Sequence, residues 1–447
     1  MTSLKFGTSG LRGLVSELIG LPTYAYVRAF CAMLQEDRAG LGRDEVLIGR
    51  DLRSSSPLIA AQCAQAVADA GFAPIDCGAV PTPALAQAAM ATGSPAVMVT
   101  GSHIPDDRNG LKFYRAQGEI DKADETRILA QHDALALTAV PDISVAPTPR
   151  DVLAAYRARY ADFFGRALEG LTVGVYQHSS VGRDVICDVL TALGAMPVAL
   201  GRSDIFIPVD TEALRPEDEA LAHRWAGERK LDAIVSTDGD ADRPLVADEA
   251  GRFLRGDLVG ALTARFLRAD AIVTPVTSNS ALERPGLFEM VVRTRVGSPY
   301  VIAGMAEAKA RGAKTIIGFE ANGGVLLGSD VTRDGRRLAA LPTRDALLPI
   351  LATLALMRST GKELSAIAAE ARFAIALSNR LQEIPQDRTA ALIARLDAED
   401  CGFRDTAFAN HGAVASRDRR DGLRLTLGNG ATVHFRASGN APELRVY

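Results

Sequence analysis

Short β-branched runs alternate with Ala- and Leu-rich amphipathic stretches along most of this chain, and that alternation constrains the fold more than any other feature. The runs at residues 45–49, 96–100, 171–176, 233–236, 271–275 and 315–318 have the length and composition of strands. Between them, residues 58–70, 184–193, 258–267 and 300–310 repeat apolar side chains at helical spacing. Strand–helix alternation implies parallel α/β layers. Two stretches echo each other: "VLIGRDLRSSSP…AVADAGFAPIDCG" and "VGVYQHSSVGRD…TALGAMPVALG" each read as strand, Ser-rich turn, helix, Gly and second strand. In the first, Ser56 is expected to cap the helix, with Pro57 at its first position.

A chain of 447 residues exceeds what one hydrophobic core supports, and three composition shifts suggest where it divides. Pro141, Pro147 and Pro149 interrupt the pattern at 140–150; further shifts lie near 248–256 and 359–373. Beyond the last shift, "GLRLTLGNGATVHFR" reads as short strands around an Asn429–Gly430 turn. The expected fold class is α/β. Three related α/β domains with mixed or parallel sheets (residues 1–148, 149–250 and 251–364) and a smaller α+β C-terminal domain (365–447) are expected around a central cleft.

The formal net charge of −4 is small for this length, which removes the electrostatic basis for a nucleic-acid or membrane-surface partner. No apolar run reaches the ~18 to 20 residues of a membrane span. Residues 1–13 lack the basic-then-apolar pattern of a signal peptide. Cys31, Cys63, Cys77, Cys187 and Cys401 are odd in number and without C-x-x-C spacing, so they read as free thiols in a reducing compartment. A cytoplasmic location is expected.

Several loops carry the chemistry. "TGSHIPDDRNG" (100–110) follows an apolar run and presents Ser102 at the carboxyl edge of a sheet, where open α/β folds place ligands. It is either a polar turn or an exposed nucleophile with His103 and Lys112 as proton acceptors. "STDGDADRP" (236–244) sets Asp238, Asp240 and Asp242 at alternate positions, with Gly239 and Ala241 small enough for the loop to wrap. Three converging carboxylates suit a hard cation such as Mg²⁺; the longer loop and terminal Glu of an EF-hand are missing. "GFEANGG" (318–324) is either a plain Gly-rich turn or a pair, Glu320 and Asn322, able to grip vicinal hydroxyls. "RASGNAPELRVY" (436–447) and "FGTSGLRG" (6–13) are either surface turns or donors to a phosphate.

In this order, the loops resemble the α-D-phosphohexomutase family over essentially the whole chain. The family pattern comprises T-S-G-x-R-G, T-[AG]-S-H-N-P, D-G-D-[GA]-D-R, G-E-x-[SN]-G and R-x-S-G-T-x-P. The resemblance implies that Ser102 carries a phosphate, and that it ligates Mg²⁺ together with Asp238, Asp240 and Asp242. His103 and Lys112 would assist proton movement, and Arg12 and Arg243 would lie near the transferring phosphate. Gly297, in "RTRVGSPY", would contribute to the substrate loop, and Glu320 and Asn322 would read sugar hydroxyls. Arg436, Ser438, Gly439, Asn440 and Arg445 would hold the phosphate that is not reacting. Implied with these are hexose phosphate substrates, a hexose 1,6-bisphosphate intermediate, and a monomer or homodimer. Ile104, Ser298 and the pair Asn440–Ala441 depart from the pattern without removing the serine or an aspartate. Gly101 before the serine resembles the branch acting on mannose and glucose phosphates, rather than the one acting on glucosamine phosphate.

Overall fold

The computed structural model describes residues 3–7, 10–37, 42–284, 286–437 and 443–447. Four main sheets follow one another along the chain. The first orders its strands Lys5–Phe6, Leu11–Leu14, Arg108–Arg115, Ala96–Val99, Glu45–Arg50, Ala73–Ala79 and Thr148–Pro149, with Gly118–Glu119 beside Arg108–Arg115. Glu45–Arg50 runs parallel to both Ala73–Ala79 and Ala96–Val99, whereas Arg108–Arg115 returns antiparallel. The second sheet orders Met196–Arg202, Thr172–His178, Ala233–Thr237 and Pro244–Ala247. The third orders Met290–Thr294, Ala271–Pro275, Ile316–Phe319, Val325–Leu327 and Leu341–Asp345. Both are parallel except where the chain doubles back after Thr237 and after Phe319, and where Leu341–Asp345 pairs antiparallel with Val325–Leu327.

The two echoing stretches are both right-length β-α-β units. Glu45–Arg50, helix Ser56–Asp69 and Ala73–Ala79 match Thr172–His178, helix Arg183–Ala192 and Met196–Arg202, and the strands of each pair are parallel. The expected cap is not formed. Ser55 precedes the helix without a side-chain cap, and Pro57 falls at its second position. Ser56 Oγ donates to Asp51 Oδ1 at 2.6 Å, a buried carboxylate that competes for the hydroxyl with the helix end.

One apolar cluster spans the first three sheets, drawing in Leu47, Tyr156, Val173, Val259, Ile317 and Leu351. At its centre lies the helix Leu347–Thr360, buried through eleven consecutive residues from Leu347 to Met357 and ended by Gly361 in the left-handed region (φ 65). Burying each such aliphatic side chain contributes about 1.5–3 kcal/mol, so the three layers hold together as one body. The fourth sheet, Asn379–Leu381, Leu444–Val446, Thr432–Ala437, Leu423–Leu427 and Val414–Asp418, is wholly antiparallel, and Leu396, Cys401, Leu423, Leu425 and Leu427 form a core of its own. Asn429–Gly430 makes the expected tight turn there, with Gly430 at φ 85 and Asn429 Oδ1 accepting from the Ala431 N–H at 3.0 Å. The cysteines are free. No helix among the described residues is long and apolar enough to cross a membrane.

One arrangement recurs in all three α/β sheets. A parallel strand ends, a short loop follows, and an antiparallel strand returns: 96–99 to 108–115, 233–237 to 244–247, and 316–319 to 325–327. Those three hairpin loops are the Ser102, Asp238 and Glu320 segments.

Candidate active site

Ser102 is almost fully buried and sits at φ 55, a left-handed conformation that a non-glycine residue adopts only under constraint. The constraint is Arg53, which is 1% exposed. Its Nη2 donates to the carbonyls of Ser102 (3.0 Å) and Ile104 (2.6 Å), and its Nη1 to those of Pro105 (2.8 Å) and Arg108 (2.9 Å). Asp51 pairs with Arg53 Nε at 3.2 Å and accepts from Thr100 Oγ1 at 2.7 Å, while Thr100 Oγ1 accepts from the Ser102 N–H at 2.8 Å. The Phe206 ring covers the guanidinium, with Cζ 3.9 Å from the centroid. Sequence reasoning missed this clamp. The signal was two opposite charges, Asp51 and Arg53, directly after an apolar strand.

One carboxylate oxygen from each of the three aspartates lies within 4.8 Å of the others, and all three residues are fully buried. Ser102 Oγ donates to Asp238 Oδ2 at 2.6 Å, and Asp238 Oδ1 accepts from the N–H groups of Asp242 and Arg243, each at 3.2 Å. Asp240 Oδ2 accepts from Lys112 Nζ (2.6 Å) and Thr82 Oγ1 (2.5 Å). Asp242 Oδ2 accepts from Lys112 Nζ (2.7 Å) and from Arg344 Nε and Nη2 (3.1 and 3.0 Å). The remaining oxygens, Oδ1 of Asp240 and of Asp242, are buried with no hydrogen-bond partner, the second lying 3.6 Å from Arg243 Nε. A buried carboxylate oxygen left bare is costly unless something binds it. One bare oxygen on each of two aspartates, beside a third aspartate and a hydroxyl, fits an oxygen-coordinated divalent cation.

Electrostatics agree with that reading. Burial and the neighbouring Asp240 and Asp242 carboxylates push Asp238 well above the ordinary carboxylate range. Burial also acts against the charge of Asp242, but Arg344, Lys112 and Arg243 outweigh it and hold the group low. Lys112 is buried too, yet Asp240 and Asp242 keep its ammonium above its ordinary value. Ala241, at φ 58, is the second strained non-glycine residue of the site.

His103 Nδ1 lies 3.3 Å from Ser102 Oγ and accepts from Arg243 Nη1 at 2.9 Å. With Nδ1 so occupied, Nε2 carries the proton, and the nearest oxygen of the serine's proton path is that of Asp238. Burial, then Arg243 and Arg12, hold the imidazole well below its ordinary value, so it is neutral at pH 7. Arg12 pairs with Gly110 in strand register, and its side chain makes no hydrogen bond or ion pair among the described residues. Burial and the charges of Arg243 and Arg344 lower it to about 10, which leaves a charged guanidinium free for an anion.

Beneath the Asp238 loop lies His178, at φ 21 and 0% exposed. Its Nε2–H donates to the Thr237 carbonyl at 2.8 Å, and its Nδ1 is buried without a partner. Burial lowers its pKa to about 4. A histidine depressed in the folded state contributes stability that is fully present above the unfolded value near 6.5 and is lost as pH falls toward 4, at 1.36 kcal/mol per unit. Wild-type protein is therefore expected to lose roughly 3 kcal/mol more than His178→Gln between pH 6.5 and pH 4. Urea denaturation across that range checks it; parallel curves for the two proteins would refute it.

Glu320 and Asn322 are both buried on the Gly-rich loop. Glu320 Oε2 accepts from Arg344 Nη1 at 2.9 Å, and Asn322 Oδ1 accepts from the Gly324 N–H at 3.0 Å, which shapes the loop itself. Arg344 was not foreseen: it lies on an unremarkable strand, Leu341–Asp345, and no local pattern marks it. Gly297, at φ 130, precedes helix Ser298–Ala310, and Ser298 Oγ turns away to Glu119 Oε2 at 2.7 Å.

Two of the expected phosphate-holding residues, Arg436 and Arg445, are partners on neighbouring strands of the C-terminal sheet. Arg436 Nε donates to Asp421 Oδ2 at 2.9 Å, and the same oxygen accepts from the Val296 N–H at 2.9 Å, so Arg436 lies against the 293–300 segment. A cavity of about 370 Å³ there is lined by Gly7, Lys122, Arg295, Arg420 and Arg436 among others. Arg445 borders a second opening of about 230 Å³ with Glu212 and Tyr447. Ser438, Gly439 and Asn440 lie outside the described residues.

Comparison with known proteins gives a consistent result. Residues 3–138 match the family model for phosphoglucomutase/phosphomannomutase, alpha/beta/alpha domain I, and residues 255–373 match the one for alpha/beta/alpha domain III. A phosphomannomutase of Sinorhizobium fredii is 50% identical over 448 residues, covering 99% of this chain and 94% of the relative. A phosphomannomutase of Salmonella muenchen is 43% identical over 451 residues, covering 100% of this chain and 92% of the relative. Among solved structures, a phosphoglucomutase/phosphomannomutase family protein from Burkholderia thailandensis superposes with a TM-score of 0.74 at 21% identity, covering 98% of this chain and 92% of that one, a likeness of fold.

Proposed function

The chain belongs to the phosphoglucomutase/phosphomannomutase family, and from that premise we propose that it is a phosphomannomutase. It interconverts mannose 6-phosphate and mannose 1-phosphate through phosphorylated Ser102 and a hexose 1,6-bisphosphate. The observation that carries the reading is the meeting of Ser102 Oγ, 2.6 Å from Asp238, with two bare, buried carboxylate oxygens on Asp240 and Asp242. The names of the two relatives at 50% and 43% identity support mannose as the sugar.

The chemistry asks four things of the chain. Ser102 must be held rigidly; Arg53 and Thr100 hold its backbone. A phosphate on that serine carries about −1.5 to −2 charges, and the substrate brings a second anion, so Arg12, Arg243 and Lys112 must offset the repulsion. Mg²⁺, held by Asp238, Asp240, Asp242 and the serine, would supply further charge stabilisation to the transferring group. Proton movement falls to Asp238, the acceptor of the serine hydroxyl. Finally, the sugar must be held in both orientations, which is met by separating the Glu320 and Asn322 loop from a phosphate clamp at Arg436 and Arg445. We read the four sheets as domains bounded near 148, 250 and 364, one loop from each. The free thiols support a cytoplasmic setting.

The test is turnover of mannose 1-phosphate and glucose 1-phosphate with and without catalytic hexose 1,6-bisphosphate. The expected result is a dependence on bisphosphate, little inorganic phosphate released, and a higher kcat/KM for mannose 1-phosphate. A preference for glucose 1-phosphate would make the chain a phosphoglucomutase, and stoichiometric phosphate release would make it a phosphatase.

A further inference from the structure

Arg344 spans two loops that the reaction uses for different purposes. Its Nε and Nη2 contact Asp242 Oδ2 on the aspartate loop, and its Nη1 contacts Glu320 Oε2 on the Gly-rich loop. The side chain is 3% exposed, so both contacts act in a poorly screened interior. A planar guanidinium can serve two carboxylates at fixed geometry, which an ammonium cannot.

The strand around it is secured on both sides. Alternate residues of a strand face opposite ways, and the two flanking residues are tied down by other parts of the chain. Thr343 Oγ1 donates to Glu119 Oε1 at 2.8 Å, and Glu119 Oε2 accepts from Ser298 Oγ at 2.7 Å. Asp345, buried at 2% exposure, accepts from Tyr156 and Tyr160 on helix Leu153–Phe164 and from the Leu347 N–H. Arg344 is thus delivered to the site by a strand that cannot slide.

We propose that Arg344 is a positioning residue that couples sugar recognition to the cation site, aiming Glu320 at the sugar while its charge weakens the hold of Asp242 on the metal. The inference rests on the mutase reading above. Its two effects have opposite signs. Removing the guanidinium leaves Glu320 without the donor that orients it, which weakens sugar binding. The same removal leaves the charge of Asp242 less offset, so that it binds a divalent cation more tightly. A residue that only supported the fold would weaken both.

The experiment uses the full-length protein, with Mg²⁺ titrated calorimetrically in the absence of sugar and steady-state kinetics run on mannose 1-phosphate. Arg344→Met is expected to tighten Mg²⁺ binding by about tenfold and to raise KM for the hexose phosphate by about tenfold. Arg344→Lys keeps the charge beside Asp242 without reaching both carboxylates, so it is expected to bind Mg²⁺ as wild type does and still raise KM; it also serves if the methionine variant does not fold. Weaker Mg²⁺ binding in Arg344→Met, or an unchanged KM in Arg344→Lys, overturns the coupling and leaves the mutase reading intact. Wild-type protein that neither binds Mg²⁺ nor turns over a hexose phosphate overturns the mutase reading and this inference with it.

Discussion

Replacing Ser102 with alanine is expected to lower turnover by at least about 10⁴-fold, because the group that accepts and returns the phosphate is gone. The loss should fall on kcat, with hexose phosphate binding retained. The backbone of the loop does not depend on the hydroxyl: Arg53 grips the Ser102 and Ile104 carbonyls, and Thr100 Oγ1 takes the Ser102 N–H. What the variant loses is the 2.6 Å hydrogen bond to Asp238 and the attachment point itself. Initial rates, equilibrium binding of mannose 1-phosphate, and intact mass after incubation with bisphosphate are the measurements. Activity within tenfold of wild type, or a phosphate adduct on the alanine variant, would remove Ser102 from the reaction.

Lys112→Met is expected to cost about 3–5 kcal/mol of stability in chelator, the usual consequence of removing one partner from a buried ion pair. Lys112 Nζ lies 2.6 Å from Asp240 and 2.7 Å from Asp242, all three side chains at most 5% exposed. Without the ammonium, the two carboxylates face each other; of the two only Asp242 pairs with Arg344 and Arg243, and the Arg12 charge lies nearby in compensation. Saturating Mg²⁺ should narrow the gap between variant and wild type, since a cation that binds only the folded state stabilises it by mass action. Urea denaturation in EDTA and in excess Mg²⁺ provides the comparison. A loss below about 1 kcal/mol in EDTA would mean the pair is not as tightly desolvated as its geometry implies.

Several features were legible in order along the chain because each is local. An apolar run followed by small residues and a nucleophile, or by alternating carboxylates, needs only a strand that stops and a loop that wraps. That is why the 100–110 and 236–244 segments could be read as site loops, and why the hairpin at Asn429–Gly430 could be placed from two residues. The helix start at Ser56 shows the limit of the same logic. Its hydroxyl had a choice between the helix end and Asp51, and a carboxylate five residues away in sequence but buried beneath the loop took it.

What the sequence determined by itself was the periodicity of burial and the chemistry of each loop: parallel α/β layers, a serine, three aspartates, a Gly-rich turn with a carboxylate. What only the tertiary structure decided was which charges offset which. Arg344, Glu119 and Thr82 lie in stretches with no motif, and their roles come from partners tens to hundreds of residues away, as in Arg344 with Asp242 or Thr82 with Asp240. The physical reason is that burial makes an unpaired charge far more costly than it is in water. The fold therefore has to bring a counter-charge or hydrogen-bond donors to the carboxylates it desolvates, and sequence distance does not limit where those partners come from.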